Sequence, residues 1–480
     1  MIPFKDIKFG QASAELEGSY YPELLTKGFL DPWGVVENVL NGPTCLFLGY
    51  KGAGKSSIGE HLRLIAETDH SLFAEHTFLS DFPYANFSKI VSGEAEPESR
   101  FPTAWSWVLT LSMLASFSKD EGAQSANNPD FVRSINALRE VGLLASIGIK
   151  EMVIASSKPK FKAKLPVLLE MEWDSNNRKV NDLDFLHIVE HLKDVMLSFN
   201  SESKHVLVID GLDDILLQKE VQYQSIAALV LEVTRLNALF FKNGVPAKIV
   251  VLCRTELFER LPGPNKNKFR QDLSVELDWY HNPKTPESSN LVYLVNNRAK
   301  LSDSTIRDVF IECLPRKVSN KPILIHLLQH TRHTPRDFIQ LLCHIQKCCT
   351  RREVDDKNVN AGIRSYASKY FLPEIKDELV GYVRQEYVDT ILRALSTIKK
   401  RTFSVSDVSE CLQGTGVLSE MNLISILDTL FQCSAIGNVT KNGSGEYFSF
   451  KYRNRHSFFK DDEEIVLHLG LVKAMNIVWS

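Results

Sequence analysis

Five residues stand at a spacing that could hold phosphate groups. They follow the apolar run 45–48: Gly49, Gly54, Lys55 and Ser56 form the pattern G-x-x-x-x-G-K-S, and Gly52 lies within it. Glycines let the backbone curl so that successive N–H groups face one anion, and a following helix adds the positive end of its dipole. Lys55 would reach the β- and γ-phosphates, and the hydroxyl of Ser56 would bind Mg²⁺.

The residues around this pattern complete a predicted nucleotide-binding loop with Lys51, Ala53 and Ser57. Ser57 lies one residue too far along to reach the metal and is expected to pack or to cap the helix. A glycine-rich turn that binds nothing is the alternative interpretation. Strand, turn, Lys-Ser pair and helix all agree, so the pattern predicts a site for a nucleoside triphosphate.

A second apolar run, 204–209, ends in acidic residues. Such a run is typical of a buried parallel strand whose carboxyl end opens onto a ligand crevice. Asp210 would hold Mg²⁺ through water, and either Asp213 or Asp214 would polarise the attacking water. The alternative for Asp213 and Asp214 is that they cap the next helix.

Three arginines are candidates for stabilising charge on the phosphates. Arg254 ends a third apolar run, 247–253, where a sensor residue would contact the γ-phosphate; the alternative is a surface ion pair. Arg270 lies in a basic loop before the last core strand and is the candidate arginine finger for a neighbouring subunit. Arg336 begins a lid helix, where it would contact phosphates or else pair with Asp337 or a nearby acid.

These residues require a parallel sheet to bring the strand ends together. The predicted fold is therefore α/β, a P-loop NTPase sheet of the ASCE or AAA+-like type, with a helical lid and a C-terminal winged helix. The second strand is expected at 76–82 and the last core strand at 273–279. The predicted domains are a lead-in at 1–41, an ATPase core at 42–285 with an insertion at about 85–200, a lid at 286–385 and a winged helix at 386–480.

Two segments leave their role open. Aromatic residues of the lead-in would pack beside adenine or staple the sheet. The basic stretch 158–164 is either a solvated loop or a contact with nucleic acid or an acidic partner.

Three helices and a hairpin predict the winged helix. The helices are expected near 388–395, 405–408 and 421–430, and the hairpin turns at 442–445. Cations that follow the hairpin could meet phosphates; they are Lys451, Arg453, Arg455 and His456. The third helix has no Lys or Arg, which favours a protein-interaction domain over a sequence-specific DNA reader.

Composition narrows the class of protein. The 480 residues carry a formal charge of −3, so binding to a polyanion would have to be local. The eight cysteines form no C-x-x-C pair, as is usual in a reducing compartment. With no signal-like start and no apolar stretch of bilayer length, the chain is expected to be cytoplasmic and not to bind membranes.

At these motifs the chain resembles the AAA+-like STAND and origin-recognition group of P-loop ATPases. The segment 209–214, I-D-G-L-D-D, is similar to the D-G-x-D-[DE] segment of NACHT-type STAND proteins, and Pro335-Arg336-Asp337 is similar to the lid arginine of KAP and origin-recognition ATPases. A Phe-Gly start, the K-G-A-G-K-S loop and an H-x-G-L-V-K-A-M-N end are similar to bacterial ATPases of phage-defence systems. A C-terminal repeat array and an enzymatic effector domain, known from STAND receptors, are absent from the sequence.

The resemblance implies ATP and Mg²⁺ as ligands and an ATPase that is slow or stimulated by a partner, because Asp214 stands where related enzymes carry Glu. The favoured function is an ATP-driven switch that controls self-association or a partner effector, plausibly in anti-phage defence. The alternative is a nucleic-acid-dependent ATPase that uses the winged helix and the basic insertion. A metabolic kinase is a third, weaker hypothesis.

Overall fold

A computed structural model describes residues 1–80, 82–91, 97–144, 148–169, 182–212, 220–263, 266–282, 284–380, 382–442 and 445–477. The chain divides into two units. The sheet unit consists of Asp31–Tyr50 and Lys55–Leu277, and the lid unit of Met1–Leu30, Lys51–Gly54 and Asp278–Ser480. This division does not follow the predicted boundaries at 42, 286 and 386, which stay predictions.

The α-helices of the described residues are, in chain order, α1 (Ala14–Tyr20), α2 (Pro22–Thr26), α3 (Val35–Asn41), α4 (Lys55–Ala66), α5 (Tyr84–Phe87), α6 (Pro97–Phe117), α7 (Pro129–Glu140), α8 (Ile149–Ser156), α9 (Pro159–Leu168), α10 (Asp182–Leu197), α11 (Glu220–Asn243), α12 (Thr255–Arg260), α13 (Lys266–Leu273), α14 (Asn290–Ser302), α15 (Val309–Glu312), α16 (Ile323–Leu328), α17 (Pro335–Lys347), α18 (Asp356–Tyr366), α19 (Leu372–Val380), α20 (Gln385–Thr397), α21 (Val405–Leu412), α22 (Val417–Glu420), α23 (Leu423–Gln432) and α24 (Leu469–Ala474). A π-helical turn, Ala367–Phe371, joins α18 to α19.

The strands are β1 (Leu46–Gly49), β2 (Leu72–Phe78), β3 (Lys204–Asp210), β4 (Ala247–Arg254), β5 (Ser274–Glu276), β6 (Lys317–Val318), β7 (Lys321–Pro322), β8 (Thr402–Phe403), β9 (Ile436–Asn442), β10 (Gly445–Ser449) and β11 (Glu464–Leu467).

The sheet unit is built on a parallel sheet in the order β2-β3-β4-β1-β5. The central strands β1 and β3 are buried almost throughout, as their continuous apolar sequences predict. The register places Gly49 beside Arg254 and Phe78 beside Asp210. The carboxyl ends of these strands therefore meet at one edge, and the predicted P-loop NTPase fold is confirmed.

Two predicted strands have different bounds. The second strand covers 72–78 rather than 76–82, because it pairs residue for residue with β3 and ends where β3 ends. The last core strand shortens to 274–276, and the basic loop predicted before it is the helix α13. Arg270 thus lies on a helix.

The insertion packs into the core of the sheet unit. Trp105 and Trp107 of α6 are completely buried, and their indole N–H groups donate to Ser225 O and Ser156 Oγ, both at 2.9 Å. The basic stretch 158–164 is mostly helical, since α9 begins at Pro159, and is not the loop of one interpretation. The side chains of 159–163 lie outside the described part of the chain.

In the lid unit, the lead-in packs on the lid helices. Glu17 and Arg298 form an ion pair of 2.7 Å with both side chains nearly inaccessible to solvent. Gln346 Nε2 of α17 donates to the carbonyls of Phe4 and Ile7 at 2.7 Å. Residues 1–30 are thus part of the lid unit, and a contact with adenine stays a prediction.

The C-terminal part of the lid unit contains the predicted helices α20, α21 and α23. The predicted hairpin is present as β9 and β10, and it belongs to a four-stranded antiparallel sheet in the order β10-β9-β11-β8. Ser404 caps α21 in a capping box with Asp407. The assignment of these elements to a winged helix stays a prediction.

One described helix, α11, is long and apolar enough to cross a membrane by length and composition, contrary to the expectation from sequence. Its face with Ile226, Leu229 and Leu236 is buried in the core of the sheet unit, where α11 packs on α6 and β4. A core helix passes the same criterion.

Candidate functional site

The loop between β1 and α4 has the backbone conformation that its glycines predict. Gly52 and Gly54 have φ angles of 82° and 89°, where an L side chain is strained by about 1–2 kcal/mol. A Cβ atom at Gly54 would meet no described atom within 4 Å, so this position faces open space. Because α4 begins at Lys55, its first N–H groups are available to an anion at the same place.

Lys55 is held at the loop. Its Nζ donates to the carbonyl oxygens of Gly49 at 2.9 Å and Tyr50 at 3.2 Å, and the residue is 8% exposed. The charge of the predicted phosphate-binding lysine is thereby fixed beside the end of β1.

Residues 51–54 make their contacts within the lid unit. The Lys51 ammonium lies 2.9 Å from Glu374 Oε2 of α19. The Arg336 N–H donates to Gly52 O at 3.3 Å, and Trp279 Nε1 donates to Ala53 O at 2.9 Å. A Cβ atom at Gly52 would lie 3.0 Å from Thr334 Oγ1. Three consecutive residues of the loop, 51–53, are thus each bonded to a group of the lid unit.

Asp210 ends β3 as predicted and is 5% exposed. Its Oδ1 accepts from the Gly211 N–H at 2.7 Å, its Oδ2 lies 3.3 Å from His76 Nε2, and Ser56 also hydrogen-bonds to it. Burial raises the pKa of Asp210, but the hydrogen bonds from His76 and Ser56 outweigh burial and leave this pKa below its ordinary value. The carboxylate is therefore ionised at neutral pH.

Ser56 and Asp210 fit a magnesium site. A hydroxyl and an ionised carboxylate are the oxygen donors that Mg²⁺ prefers beside phosphates, and here they are hydrogen-bonded to each other. Thr255 Oγ1, which follows β4, is buried and has no hydrogen-bond partner among the described residues. An unsatisfied buried hydroxyl at this edge of the sheet suits a bound ligand.

Three of the other predicted catalytic residues lie at or after the ends of β3 and β4 in the chain. Asp213 and Asp214 lie outside the described residues, so their roles stay predictions. Arg254 is half-buried at the end of β4, beside Gly49 in the register, which is where a sensor was predicted.

Arg270 is bound by carboxylates of its own chain. It hydrogen-bonds to Glu276 and lies 3.6 Å from Glu259, and its side chain is 18% exposed. The hydrogen bond with Glu276 raises the pKa of its guanidinium. To act as a finger in a neighbouring subunit, Arg270 would have to leave both partners; that role stays a prediction.

Arg336 lies in the first turn of α17, half-buried, next to the N-cap residue Thr334. The alternative interpretation paired it with Asp337. Asp337 is instead fully buried and binds Arg332, whose Nε lies 2.9 Å from Asp337 Oδ2. Arg332 also binds Glu378 at 2.6 Å. Asp337 is thus engaged by Arg332, and both the pairing of Arg336 with another nearby acid and its contact with phosphates stay predictions.

Four residues near the site were missed from the sequence: His76, Glu60, Trp279 and Glu374. Glu60 lies on α4 and His76 on β2, and neither residue stands out from the sequence pattern of its element. Trp279 and Glu374 are far from the loop in sequence. No local signal marks them, because their roles depend on contacts between distant segments.

The cations after the hairpin are mostly engaged within the protein. Lys451 is 3% exposed and donates to Ser457 O at 3.1 Å. Arg453 donates to Tyr452 Oη at 3.0 Å, and the Arg455 guanidinium lies 3.2 Å from Asp278 with 9% of its side chain exposed. Of the four, His456 alone is classed as exposed. The predicted phosphate contacts of the first three would require them to give up these partners.

A parallel sheet in the order β2-β3-β4-β1-β5 with a glycine-rich loop between β1 and α4 defines an α/β protein of the P-loop nucleotide-binding class. No protein-family profile matches the chain, and neither does any curated protein.

Similar solved structures include a chain of the Drosophila ORC bound to DNA, which is 10% identical, with 98% of this chain and 92% of that chain covered and a TM-score of 0.31. Another is Cdc6p from Pyrobaculum aerophilum, 12% identical, with 95% and 97% covered and a TM-score of 0.27. The assignment to the P-loop class rests on the strand order of the parallel sheet and on the glycine-rich loop.

Proposed function

We propose that this chain is an ATP-binding and ATP-hydrolysing molecular switch that controls its own self-association or a partner effector. The observation that supports a switch is the grouping of residues 51–54 with the lid unit. In a switch, the nucleotide-binding loop must be bonded to the part of the protein that responds. Three successive residues of the loop meet this requirement through Glu374, Arg336 and Trp279.

The contacts of Gly52 and Ala53 involve backbone carbonyls. When the N–H groups of such a loop turn toward phosphate, the carbonyls of the same peptide units turn with them, because each peptide unit is planar. Occupation of the loop would therefore change the bonds to Arg336 and Trp279. A ligand shifts a conformational equilibrium by differences of this kind in the contacts of the two states.

The lid unit offers a continuous path from the loop to the C-terminal sheet. Thr334 packs against Gly52, and the neighbouring His333 ring stacks on Tyr452 with centroids 5.3 Å apart. His468, which precedes α24, places Nε2 3.2 Å from Thr331 O. Segment 331–336 thus touches both the loop and the C-terminal elements. Whether it transmits a change is a matter for experiment.

For the chemistry, Ser56 and Asp210 would hold Mg²⁺, and Lys55 would bind the β- and γ-phosphates. The metal neutralises phosphate charge when it is bound. Asp213 or Asp214 would orient the attacking water, and Arg254 and Arg336 would stabilise charge on the transferred phosphate.

Hydrogen–deuterium exchange of the full chain with ATP, with ADP and without nucleotide tests the switch. We expect ATP to change exchange in the loop and in α16, α17 and α19, with a parallel change in native mass if self-association is the output. Trp279→Phe keeps an aromatic ring but removes the donor to Ala53. It should bind ATP within a few-fold of wild type and lose part of the change in the lid helices.

Identical exchange of the lid helices in the ATP and ADP states of the wild type would refute the switch. Nucleotide-free protein provides the baseline, and Lys55→Ala with ATP provides the unbound control.

Other parts of the proposal have separate tests. The engaged state of Lys451, Arg453 and Arg455 gives the nucleic-acid-dependent ATPase no specific support. Stimulation of hydrolysis by DNA or RNA would nevertheless reverse this preference. A role in phage defence is supported only by the resemblance of short motifs, and plaque assays with wild type and Lys55→Ala would test it.

A further inference from the structure

Three buried polar side chains join the nucleotide-binding helix to the end of β3. Glu60 lies on α4, His76 on β2 and Asp210 at the end of β3. His76 Nδ1 lies 3.1 Å from Glu60 Oε1, and Nε2 lies 3.3 Å from Asp210 Oδ2. The His76 side chain is 1% exposed and each carboxylate side chain 7%. All three belong to the sheet unit.

We propose that His76 is a positioning residue that holds the Asp210 carboxylate in the orientation required for Mg²⁺, while Glu60 fixes the ring from its other side. This inference rests on the proposed nucleotide-binding function. It assigns to His76 no contact with nucleotide or metal.

The geometry of Asp210 supports this role. A carboxylate that binds a metal ion must keep one orientation. Hydrogen bonds from neighbouring residues to that carboxylate fix its orientation. The Gly211 N–H binds Oδ1 and His76 lies at Oδ2, so both oxygens have a fixed partner within the protein. The Ser56 hydroxyl also bonds to Asp210.

The strand register brings the histidine within reach. His76 pairs with Val208 in the parallel β2–β3 ladder, and Asp210 lies two residues further along β3. Side chains two residues apart on a strand point to the same face, so the imidazole leans along the strands to meet the carboxylate. An imidazole has only two side-chain torsions, and it carries its two nitrogens on a rigid ring.

Gly59 provides an independent observation. It lies inside α4, where glycine is unfavourable compared with alanine. A Cβ atom at Gly59 would lie 2.5 Å from His76 Nε2 and 2.6 Å from Cδ2. Glycine at position 59 therefore leaves the space that the His76 imidazole occupies.

A separate metal centre made by the three side chains is the competing interpretation. Among the described residues no group of three or more His, Cys, Asp and Glu side chains is arranged to hold a metal ion. Both ring nitrogens of His76 lie at hydrogen-bonding distance from carboxylates, which is the geometry of a bridge.

The test separates metal affinity from nucleotide affinity. Binding of a fluorescent ADP analogue (mant-ADP) is measured in EDTA and in a Mg²⁺ titration, and Mn²⁺ binding to the ADP complex is followed by electron paramagnetic resonance. For His76→Phe we expect metal affinity to fall about 10- to 100-fold, the usual effect of losing a hydrogen-bond partner of a metal ligand. Affinity for mant-ADP in EDTA should stay within about twofold, because the loop is untouched.

Two further variants keep the inference testable if His76→Phe does not fold. Gly59→Ala should displace the ring and reduce metal affinity similarly, although alanine favours the helix. His76→Gln, whose amide can donate to Asp210, should restore part of the metal affinity. Phe78→Leu is the matched control, since Phe78 contacts the His76 ring with centroids 4.3 Å apart but bonds to neither carboxylate; its metal affinity should equal that of wild type.

Unchanged metal affinity in folded His76→Phe and Gly59→Ala would overturn the inference. An equal fall in EDTA and in Mg²⁺ would also overturn it, because it would show a general structural role. Failure of the wild type to bind mant-ADP under any condition would instead refute the proposed function, and the two failures are therefore distinguishable.

Discussion

Acid is expected to destabilise the lid unit, because His330 and His333 are buried there as neutral rings. Burial lowers the pKa of each histidine to about 3. In an unfolded chain a histidine titrates near pH 6.5. Below that pH the unfolded chain takes up protons that the folded unit does not. The contribution of these rings to stability is therefore complete above about pH 6.5 and is lost progressively as the pH falls toward 3.

The loss of unfolding free energy follows from the pKa shifts of His330 and His333. Between pH 7 and pH 5 each ring should cost the lid unit about 2 kcal/mol of unfolding free energy, or about 4 kcal/mol for both. A typical domain has an unfolding free energy of only about 5–15 kcal/mol in total.

The pKa of His76 is shifted in the opposite direction, since the hydrogen bonds to Asp210 and Glu60 outweigh burial. Its contribution is fully present below about pH 6.5 and is lost at higher pH, but it belongs to the sheet unit.

His333→Asn isolates one of the two rings. His333 has a φ of 53°, and asparagine is among the residues that tolerate this region. At pH 7 the variant should be less stable than wild type, because the stacking on Tyr452 is lost. Its additional loss between pH 7 and pH 5 should nevertheless be smaller than in wild type by about 2 kcal/mol.

The measurement is the exchange free energy of backbone amides in α17 at several values of pH from 8 to 5. Amides of one helix report the lid unit, whereas a global transition of a two-unit chain is not a two-state measurement. The two proteins should have parallel pH dependences from pH 8 to pH 7, which is the internal control. Parallel dependences from pH 7 to pH 5 as well would refute the assignment of His333 as a neutral buried ring.

Three further predictions concern the loop and its surroundings. Lys55→Ala should abolish tight binding of ATP and Mg²⁺ because it removes a cation from the phosphate site, and the chain should stay folded although the hydrogen bonds to the Gly49 and Tyr50 carbonyls are lost; calorimetry that finds wild-type affinity would contradict the site. Gly52→Ala and Gly54→Ala should each lose about 1–2 kcal/mol from the positive φ, and Gly52→Ala should lose more, because its methyl would crowd Thr334; exchange free energies of the α17 amides that rank the two variants in the opposite order would contradict this role of Thr334. If Arg270 serves a neighbouring subunit, ATPase activity per subunit should rise with protein concentration, and Arg270→Ala should remove the rise; a flat dependence in wild type would end that role.

Several features were predictable because they depend on local sequence. The loop required glycines at positions with positive φ, and Gly52 and Gly54 have these angles. Continuous apolar runs before Gly49 and Asp210 predicted buried parallel strands, since both faces of such a sheet are covered by helices. The hairpin near 442–445 is equally local, and its two strands are present in the structure.

Other predictions from sequence failed where burial or pairing decided the outcome. The second strand was placed too far along the chain, because its end is set by pairing with β3 and not by its own pattern. For Lys451, Arg453 and Arg455, whose contact with phosphates stays a prediction, the structure shows partners within the protein that the sequence does not reveal. A sequence shows charge, but the exposure of that charge depends on what packs around it.

The sequence by itself thus determined the glycine-rich loop and the strands that lead to it, because glycine spacing and continuous apolar runs act within a few residues. Only the tertiary structure decided which distant groups meet these elements. His76 and Asp210 are separated by 134 positions, and Lys51 finds its carboxylate in α19. Such contacts produce no pattern in the sequence, because each depends on strand order and helix packing. Strand order and helix packing bring widely separated segments together.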